Sequence, residues 1–476
     1  MSAKGTAPRS GANVTTVRLA SIEGPNFRLD AKHYQEEFTL ARNRVATCGY
    51  SSALLRTFAT AFVPARTKLV TTASASAGAP YLRAHDAFEV RPSTKRYVSR
   101  ARTEGYEGYK LKQGMLLTPS SGRNLGPIAY VGELLSRFAM TDILRIVPRD
   151  ESVGFYLLAY LLTPTGQALI RRGRTGTTVD HLAPDDVLGI PVVQLPETMK
   201  KRVVDAIRTA EERLDGARLR LDQLELELHN LIGLKLPPPK GKYVGASTEV
   251  KGFGIKSRDL ALRLDAAYYE PDLRVARNAV TRAGARRLDD VAELRLLGRY
   301  KRYYVSREFG TPILSGRQLL QLRQVNLQSI SDRSFKSPES FIIRRGWSLF
   351  TCDGRSEEQL GTAAYVHAGW DGWMASNHVM RAIPQADAEP GYLYLALRSP
   401  YVQRQLKARA TGSVIDALEP DTIADVLLPW LSPKEEKRLG SAAAEAWDNI
   451  ASAQELEQET VAEFEKAIVA GYERMT

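Results

Sequence analysis

The sequence is poor in cysteine, in histidine and in long apolar runs, and each shortage excludes a class of protein. Two cysteines, Cys48 and Cys352, cannot build a disulfide framework or a four-thiolate zinc site. The longest unbroken apolar run, Phe155 to Leu162, is too short to span a bilayer. The chain opens without the charged and then apolar pattern of a signal peptide, so we expect a cytoplasmic protein.

The sequence also lacks the motifs of the enzymes that act on nucleic acids. An adenine methyltransferase needs an Asn/Asp-Pro-Pro-aromatic loop, whereas the prolines at 237–239 follow a leucine and precede a lysine. A nucleotide-driven motor needs a Gly-Xaa-Xaa-Xaa-Xaa-Gly-Lys-Ser/Thr loop, which is missing. Asp86 and Glu89 could suggest a metal nuclease, but Gln318 and Leu322 stand near those places in the second half. We therefore predict a non-catalytic chain with no metal or cofactor of its own.

Length and charge set the remaining bounds. The chain has 476 residues, which favours two to four domains. Its 66 Lys and Arg exceed its 54 Asp and Glu, giving a formal charge of +12. This moderate excess favours a polyanionic partner such as nucleic acid without identifying it.

The chain contains an internal repeat. Residues 28–34 and 263–269 are identical at five of seven positions, at an offset of about 235 residues. Nearly the same offset relates 129–131 to 364–366 and Thr175-Gly176 to Thr411-Gly412. The segments 81–125 and 312–360 match only through sparse glycines. We infer two copies of one module that keep a common scaffold and read different targets.

Each module is predicted to be α+β, a globular part followed by one long helix. Short runs of branched and aromatic residues, with glycine and proline between them, indicate strands and buried helices in the globular part. The predicted organisation is a tail (1–13), a first globular domain (14–195), spacer helix 1 (196–236), a linker (237–254), a second globular domain (255–431) and spacer helix 2 (432–476).

Apolar residues recur at heptad spacing along the first long helix, a pattern that requires a partner helix, and less regularly along the second. We predict that the two helices pair as an antiparallel coiled-coil spacer, with the two globular parts, or heads, at its two ends. The alternative is that each helix packs on its own globular part. The predicted seam residues are Ile207, Leu214, Leu221, Leu224, Leu228, Ile450 and Phe464.

Four features occur twice and in the same order: an Arg-Leu-Asp-Ala opening, an Ala-Tyr-Val segment, a Thr-Gly loop followed by Leu-Xaa-Pro-Asp, and a long helix. This doubled order resembles the specificity subunit of Type I restriction-modification systems. The resemblance covers about residues 14 to 470. It implies that each head reads one half of a bipartite, asymmetric duplex DNA site. It also implies that the helices set the spacing and dock two adenine methyltransferase subunits, which carry S-adenosylmethionine, with a restriction motor subunit as a further partner in phage defence.

Candidate DNA contacts follow from residue chemistry. Lys, Arg, hydroxyl and backbone N–H groups bind phosphate, whereas Arg, Asn and Gln reach base edges. The candidates in the first copy are Lys95, Arg96, Arg100, Arg102, Ser121, Gly122, Arg123, Asn124, Arg171, Arg172, Arg174, Thr177 and Thr178. Those in the second copy are Lys301, Arg302, Tyr303, Tyr304, Arg317, Gln318, Gly354, Arg355, Lys407, Arg409 and Ser413. The basic, tyrosine-rich stretches equally fit a solvated face over buried tyrosines, and the Gly-Arg pairs equally fit tight turns.

Two other functions remain open at this point. One is a restriction or phage-defence nuclease with duplicated recognition domains. The other is a scaffold that blocks or mimics a specificity subunit. Incubation of the purified chain with Mg²⁺ and plasmid distinguishes a nuclease from a specificity subunit, because a specificity subunit alone neither cleaves nor methylates DNA.

Overall fold

The computed structural model describes residues 31–65, 67–72, 78–94, 96–176, 178–233, 253–260, 263–354, 359–412 and 415–475. Two α+β units, head 1 (described residues within 31–195) and head 2 (described residues within 253–431), are each followed by one long helix. The predicted fold class is therefore confirmed.

Head 1 and its long helix contain the first elements of the chain. The helices are α1 (Glu36–Thr47), α2 (Glu133–Ser136), α3 (Glu151–Leu162), α4 (Pro164–Arg172), α5 (Pro184–Leu188) and the long α6 (Glu197–Ile232). The strands are β1 (Ser52–Leu54), β2 (Ala59–Phe62), β3 (Thr71–Thr72), β4 (Gly78–Pro80), β5 (Tyr97–Ser99), β6 (Leu116–Pro119), β7 (Ala129–Tyr130), β8 (Ile143–Pro148) and β9 (Pro191–Val193).

Head 2 and its long helix contain the remaining elements. The helices are α7 (Pro271–Arg282), α8 (Leu288–Val291), α9 (Pro390–Arg398), α10 (Pro400–Arg409), α11 (Pro420–Ile423) and the long α12 (Pro433–Met475). The strands are β10 (Ala285–Arg287), β11 (Ala292–Arg295), β12 (Tyr304–Val305), β13 (Thr311–Leu314), β14 (Gln328–Ile330), β15 (Ser348–Thr351), β16 (Asp353–Gly354), β17 (Ala363–Tyr365), β18 (Met374–Ala375), β19 (Val379–Pro384), β20 (Asp416–Ala417) and β21 (Leu427–Pro429).

The two heads share one sheet topology. The main sheet has the order β2-β8-β6-β7 in head 1 and the equivalent order β11-β19-β15-β17 in head 2. The first and last strands of each head form a separate pair, β1-β9 and β10-β21. A smaller sheet follows the order β3-β5-β4 in head 1 and β12-β14-β13-β18 in head 2. The sequence repeat is therefore also a repeat of topology.

An arginine is buried at the same place in both main sheets. Arg145 on β8 donates to four backbone carbonyls between Gly108 and Met140, each at 2.9 Å. Arg381 on β19 likewise donates to backbone carbonyls, including that of Val379 at 2.7 Å. Burial lowers the pKa of both guanidinium groups to about 10. Each arginine fixes the loops beside the sheet by satisfying carbonyls that would otherwise be buried without a donor.

The buried helical segment of head 1 is sharply bent at Thr163. Here α3 ends and α4 begins, and the two helices meet at 84°. Pro164 has no N–H with which to continue α3, and the Thr163 side chain accepts a hydrogen bond from the backbone N–H of Gly166 to start α4. In the described ranges no single helix is long and apolar enough to cross a membrane, and α3 with α4 meets that test only as a bent pair.

The two long helices pack against each other in opposite directions. Arg202 near the start of α6 lies 3.9 Å from Glu463 near the end of α12. Glu227 near the end of α6 lies 2.9 Å from Arg438 near the start of α12. All seven predicted seam residues are buried. The heptad pattern thus identified the faces on which both helices pack.

Each long helix contributes to the cores of both heads, which rules out the alternative of separate packing. The core of head 1 contains Val203 and Ile207 of α6 together with Phe464 of α12. The core of head 2 contains residues of α6 from Leu214 onward together with the first half of α12. The helix pair is therefore the shared scaffold on which both heads fold.

The heads also contact each other through equivalent segments. The N–H of Val90 donates to the carbonyl of Leu320 at 2.8 Å, and the N–H of Leu322 donates to the carbonyl of Phe88 at 2.8 Å. Because 88–90 and 320–322 are equivalent in the repeat, the contact is self-complementary, as at a two-fold axis. We call these two segments the junction.

Side chains of the long helices bind the junction in the same way from both sides. Arg218 of α6 donates to the carbonyl of Val90 at 2.7 Å, and Gln454 of α12 donates to the carbonyl of Leu322. Next to this, Arg323 of head 2 pairs with Glu211 of α6 and Glu457 of α12. Burial would favour the neutral guanidinium, but the two carboxylates raise the pKa of Arg323. The junction is thus connected to both helices by hydrogen bonds and ion pairs.

Candidate nucleic-acid interface

The predicted Thr-Gly loops have the same backbone geometry in both heads. In head 1, Thr175 and His181 exchange two backbone hydrogen bonds of 2.8 and 2.6 Å. In head 2, Thr411 and Ala417 do the same at 2.9 and 2.7 Å. Each loop is therefore closed at its base by a pair of backbone hydrogen bonds.

The glycine in each loop is required by this geometry. Gly176 has φ +114° and Gly412 has φ +142°, a backbone conformation that side chains rarely adopt. A Cβ atom at Gly176 would also collide with the carbonyl oxygen of Val179, and one at Gly412 with that of Ile415. The shared Thr-Gly pair thus keeps one loop shape on two heads with different neighbouring side chains.

A second predicted loop lies beside each Thr-Gly loop. In head 1, Ser121 bridges to His181, and the N–H of Gly122 donates to the carbonyl of Asp180 at 2.9 Å. In head 2, β16 pairs with β20, which brings Gly354 opposite Asp416. The Gly-Arg loops and the Thr-Gly loops, predicted separately, therefore form one two-loop surface on each head.

The described polar side chains of the head 1 surface differ in exposure to solvent. Ser121, Arg123, Asn124 and Thr178 are exposed. The three predicted arginines that precede the loop are half-buried: Arg171 lies 3.8 Å from Glu37, the carbonyl of Arg172 contacts His33, and Arg174 lies 3.9 Å from Asp180. These contacts hold the arginines beside the loop.

Four of the predicted residues of head 1 meet head 2 in a cleft of about 420 Å³. Arg123, Asn124, Arg171 and Arg174 line it from head 1. Head 2 contributes Arg323, Gln324, Val325 and Asn326, among other residues. No acidic residue is among the described residues that line this cleft. The polar groups of the cleft are thus cationic or amide groups, set among apolar side chains such as Phe88 and Leu125, and such polar groups favour an anionic ligand such as a phosphate backbone.

Sequence reasoning missed the head 2 side of this cleft. The side-chain N–H of Asn326 donates to the Oδ1 of Asn124 at 3.1 Å, across the two heads. Asn326 is also the one non-glycine residue with positive φ in the described chain, at 54°. Its position was not visible from the sequence because the repeat places no similar residue in head 1.

The basic stretches near the small sheets are exposed. Arg96, Arg100 and Arg102 surround β5 and face solvent, while the neighbouring tyrosines Tyr106 and Tyr109 are buried. In head 2 the exposed residues are Lys301, Arg302, Tyr303, Tyr304 and Arg317. Lys301 lies 5.0 Å from the ring centroid of Tyr303, a cation–π contact. In both heads, cations are therefore exposed on or close to the small sheet.

Two predicted DNA contacts are corrected by the structure. Gln318 is buried, and its amide accepts from Ser315 and donates to the carbonyls of Val325 and Asn326. Arg409 is 2% exposed and forms a two-armed ion pair with Asp425 at 2.9 Å. Both side chains are used inside head 2 and have no face left for DNA. Lys407 is half-buried, and Lys95, Thr177, Arg355 and Ser413 lie outside the described residues.

Among the described residues, no group of three or more His, Cys, Asp and Glu side chains could hold a metal ion. Asp353 and His378 do pair in head 2, but as two side chains only. The interface is therefore one of cations, amides, hydroxyls and backbone groups.

Comparison with known proteins gives matches among solved structures alone. No family model matches the chain, and no curated protein matches it. The chain is similar to the S subunit of the Type I restriction-modification system from M. genitalium, at 10% identity and TM-score 0.35, covering 89% of this chain and 96% of that one. It is also similar to the HsdS subunit from Thermoanaerobacter tengcongensis, at 13% identity and TM-score 0.27, covering 89% and 96%.

A third similar chain comes from a structural study of complex assembly and conformational transition in the type I R-M system, at 15% identity and TM-score 0.28, covering 90% and 97%. The first two of these structures are named as S subunits, the class of protein that the doubled motifs resemble.

Proposed function

We propose that the chain is a non-catalytic DNA sequence-specificity subunit that recognises a bipartite, asymmetric duplex site and docks adenine methyltransferase subunits. The observation that carries this proposal is the pair of equivalent two-loop surfaces on one helix scaffold. The Thr-Gly loops share their closing backbone hydrogen bonds and a glycine of positive φ, whereas the Gly-Arg loops beside them differ in sequence. Two readers of the same shape and different chemistry suit a site whose two halves differ in sequence.

The side chains that differ are those that read bases. Head 1 presents Arg123 and Asn124, whose groups match the major-groove edges of guanine and adenine. Where head 1 has Ser121 next to these residues, head 2 presents Asp353, paired with His378. A carboxylate accepts from the amino group of cytosine, so the two heads select different bases.

The helix scaffold supports the spacing role. With 36 residues in α6 and 43 in α12, the pair is about 50–65 Å long at 1.5 Å per residue. That length exceeds one turn of B-DNA, about 34 Å, so heads on it can reach successive major grooves. The junction adds a direct contact between the heads, which fixes their mutual orientation.

The partners follow from what the chain itself does not carry. Its sequence has neither the methyltransferase loop nor the nucleotide-binding loop, so base modification and translocation belong to other subunits. S-adenosylmethionine is expected on the methyltransferase subunits, and a restriction motor subunit is a further expected partner.

Methylation mapping tests the proposal. The chain is expressed with the methyltransferase encoded beside it, and adenine methylation is mapped over the host genome. A single motif with two separated halves, methylated only when this chain is present, supports the proposal. If the methylation is the same without the chain, the proposal is overturned, and a scaffold that mimics a specificity subunit is favoured.

A second arm addresses the nuclease alternative. The purified chain alone is incubated with plasmid and Mg²⁺. We expect neither cleavage nor methylation, and cleavage by the chain alone would replace the proposal with a nuclease function.

A further inference from the structure

Each Thr-Gly loop exposes one branched aliphatic side chain at the same position. Val179 in head 1 is 45% exposed, and Ile415 in head 2 is 62% exposed. Single exposed aliphatic residues are common on protein surfaces and need no explanation alone. Here two of them occupy equivalent positions in loops whose shape is fixed by the same glycine and the same closing hydrogen bonds.

Neither side chain has a packing role in the described structure. Val179 and Ile415 belong to none of the hydrophobic clusters, and neither packs against one as a partly buried neighbour. The carbonyl under each glycine comes from the backbone of these residues, so any side chain would serve the loop geometry equally well. Their apolar character is therefore unexplained by the fold.

The residue that follows each aliphatic side chain is an aspartate, which would repel DNA if its charge were free. In head 1 this charge is balanced, because Lys32 lies 3.0 Å from Asp180 and Arg174 lies 3.9 Å from it. The loop can therefore approach a polyanion, with Val179 beside the exposed Thr178 at its outer side.

We propose that Val179 and Ile415 each contact the C5-methyl group of a thymine in the major groove, one in each half of the site. This rests on the proposed function. The thymine methyl is the apolar group that a base pair presents on its major-groove edge, and short apolar side chains are its natural partners. Val179 and Ile415, each two residues or fewer from the closing pair of its loop, are short apolar side chains of this kind.

The test uses the complex of the full chain with its methyltransferase and duplexes that contain the mapped motif. Each thymine of either half is replaced in turn by deoxyuridine, which removes only the C5-methyl. In the wild type, one replacement in each half should weaken binding about fourfold, the value of one buried methyl group. In Val179→Ser the penalty should disappear from the first half alone, and in Ile415→Ser from the second half alone.

Val275→Ser is the matched control, because Val275 is a valine of equal exposure, 45%, on the outer side of α7. It should keep both deoxyuridine penalties. If the wild-type complex does not bind its motif specifically, the proposed function itself fails. If it binds specifically but deoxyuridine has no effect, or if the serine variants keep both penalties, the thymine contact is wrong. A half-site without thymine on either strand overturns the contact for that head.

Discussion

Glu89, a buried carboxyl group at the junction, should destabilise the folded chain at neutral pH, and its amide variant should relieve this. Glu89 is 8% exposed, and the side chain of Gln359 in head 2 donates to it. Burial raises its pKa from 4.5 to about 8, the nearby charge of Asp86 raises it further, and the charge of Arg398 opposes the shift. The equivalent residue of head 2 is already an amide, Gln321.

The sign and size of the effect follow from that pKa. The folded chain holds a proton on Glu89 between pH 4.5 and 8 that the unfolded chain releases, so stability falls as the pH rises through this window. At 1.36 kcal/mol per pH unit, the ceiling is about 5 kcal/mol. Relaxation and water access reduce such penalties, and we expect about 1–3 kcal/mol. Glu89→Gln keeps the acceptor for Gln359 and removes the charge.

Thermal unfolding between pH 5 and 9 measures the effect. The midpoint of Glu89→Gln should equal that of the wild type near pH 5 and exceed it increasingly up to pH 8. Glu107→Gln, an exposed carboxyl in the same head, is the control and should follow the wild type throughout. A Glu89→Gln midpoint that runs parallel to the wild type, or lies below it at pH 8, would refute the reasoning.

Three further predictions follow from other features. Arg323→Met leaves the carboxylates of Glu211 and Glu457 buried without their cation, so the free energy of unfolding measured in urea should fall by about 3–5 kcal/mol. Most of this loss should be recovered when both glutamates are also changed to Gln. A loss below about 1 kcal/mol contradicts the prediction. Burial lowers the pKa of His367 from 6.5 to about 4, so stability should fall as the pH drops from 6.5 to 4, and a His367→Gln chain with the same fall in its thermal midpoint contradicts this. One heptad inserted within 211–228, with a matching one in α12, adds about 10 Å, or about three base pairs. Methylation mapping should then return the same half-sites with a longer gap, and an unchanged motif contradicts the spacing role.

The sequence predicted the frame of the molecule better than its surfaces. The seam residues, such as Leu214 and Ile450, were found because a heptad pattern reports directly which face of a helix is buried. The two-fold repeat of topology was visible for a similar reason, since the repeated residues are mostly those that hold the scaffold. The tight Thr-Gly loops were also predictable, because few residues other than glycine accept their backbone.

The arginines that form internal ion pairs, and the contacts between the heads, could not be predicted from sequence patterns. An arginine on a helix looks the same in sequence whether it faces solvent or, like Arg409, an aspartate sixteen residues away. The junction has no sequence signature at all, because its bonds join backbone groups. The cleft between the heads depends on the junction, so Gln324 and Asn326 were missed for the same reason.

Several of the hydrogen bonds that attach the heads to each other and to the helices are made to main-chain atoms. Val90 and Leu322 donate and accept through their peptide groups, and Arg218 and Gln454 bind peptide carbonyls. Asp215 of α6 likewise accepts from the backbone N–H of Glu133 at 2.7 Å. Because every residue supplies the same peptide groups, the exposed side chains of a head can change while these main-chain bonds are kept.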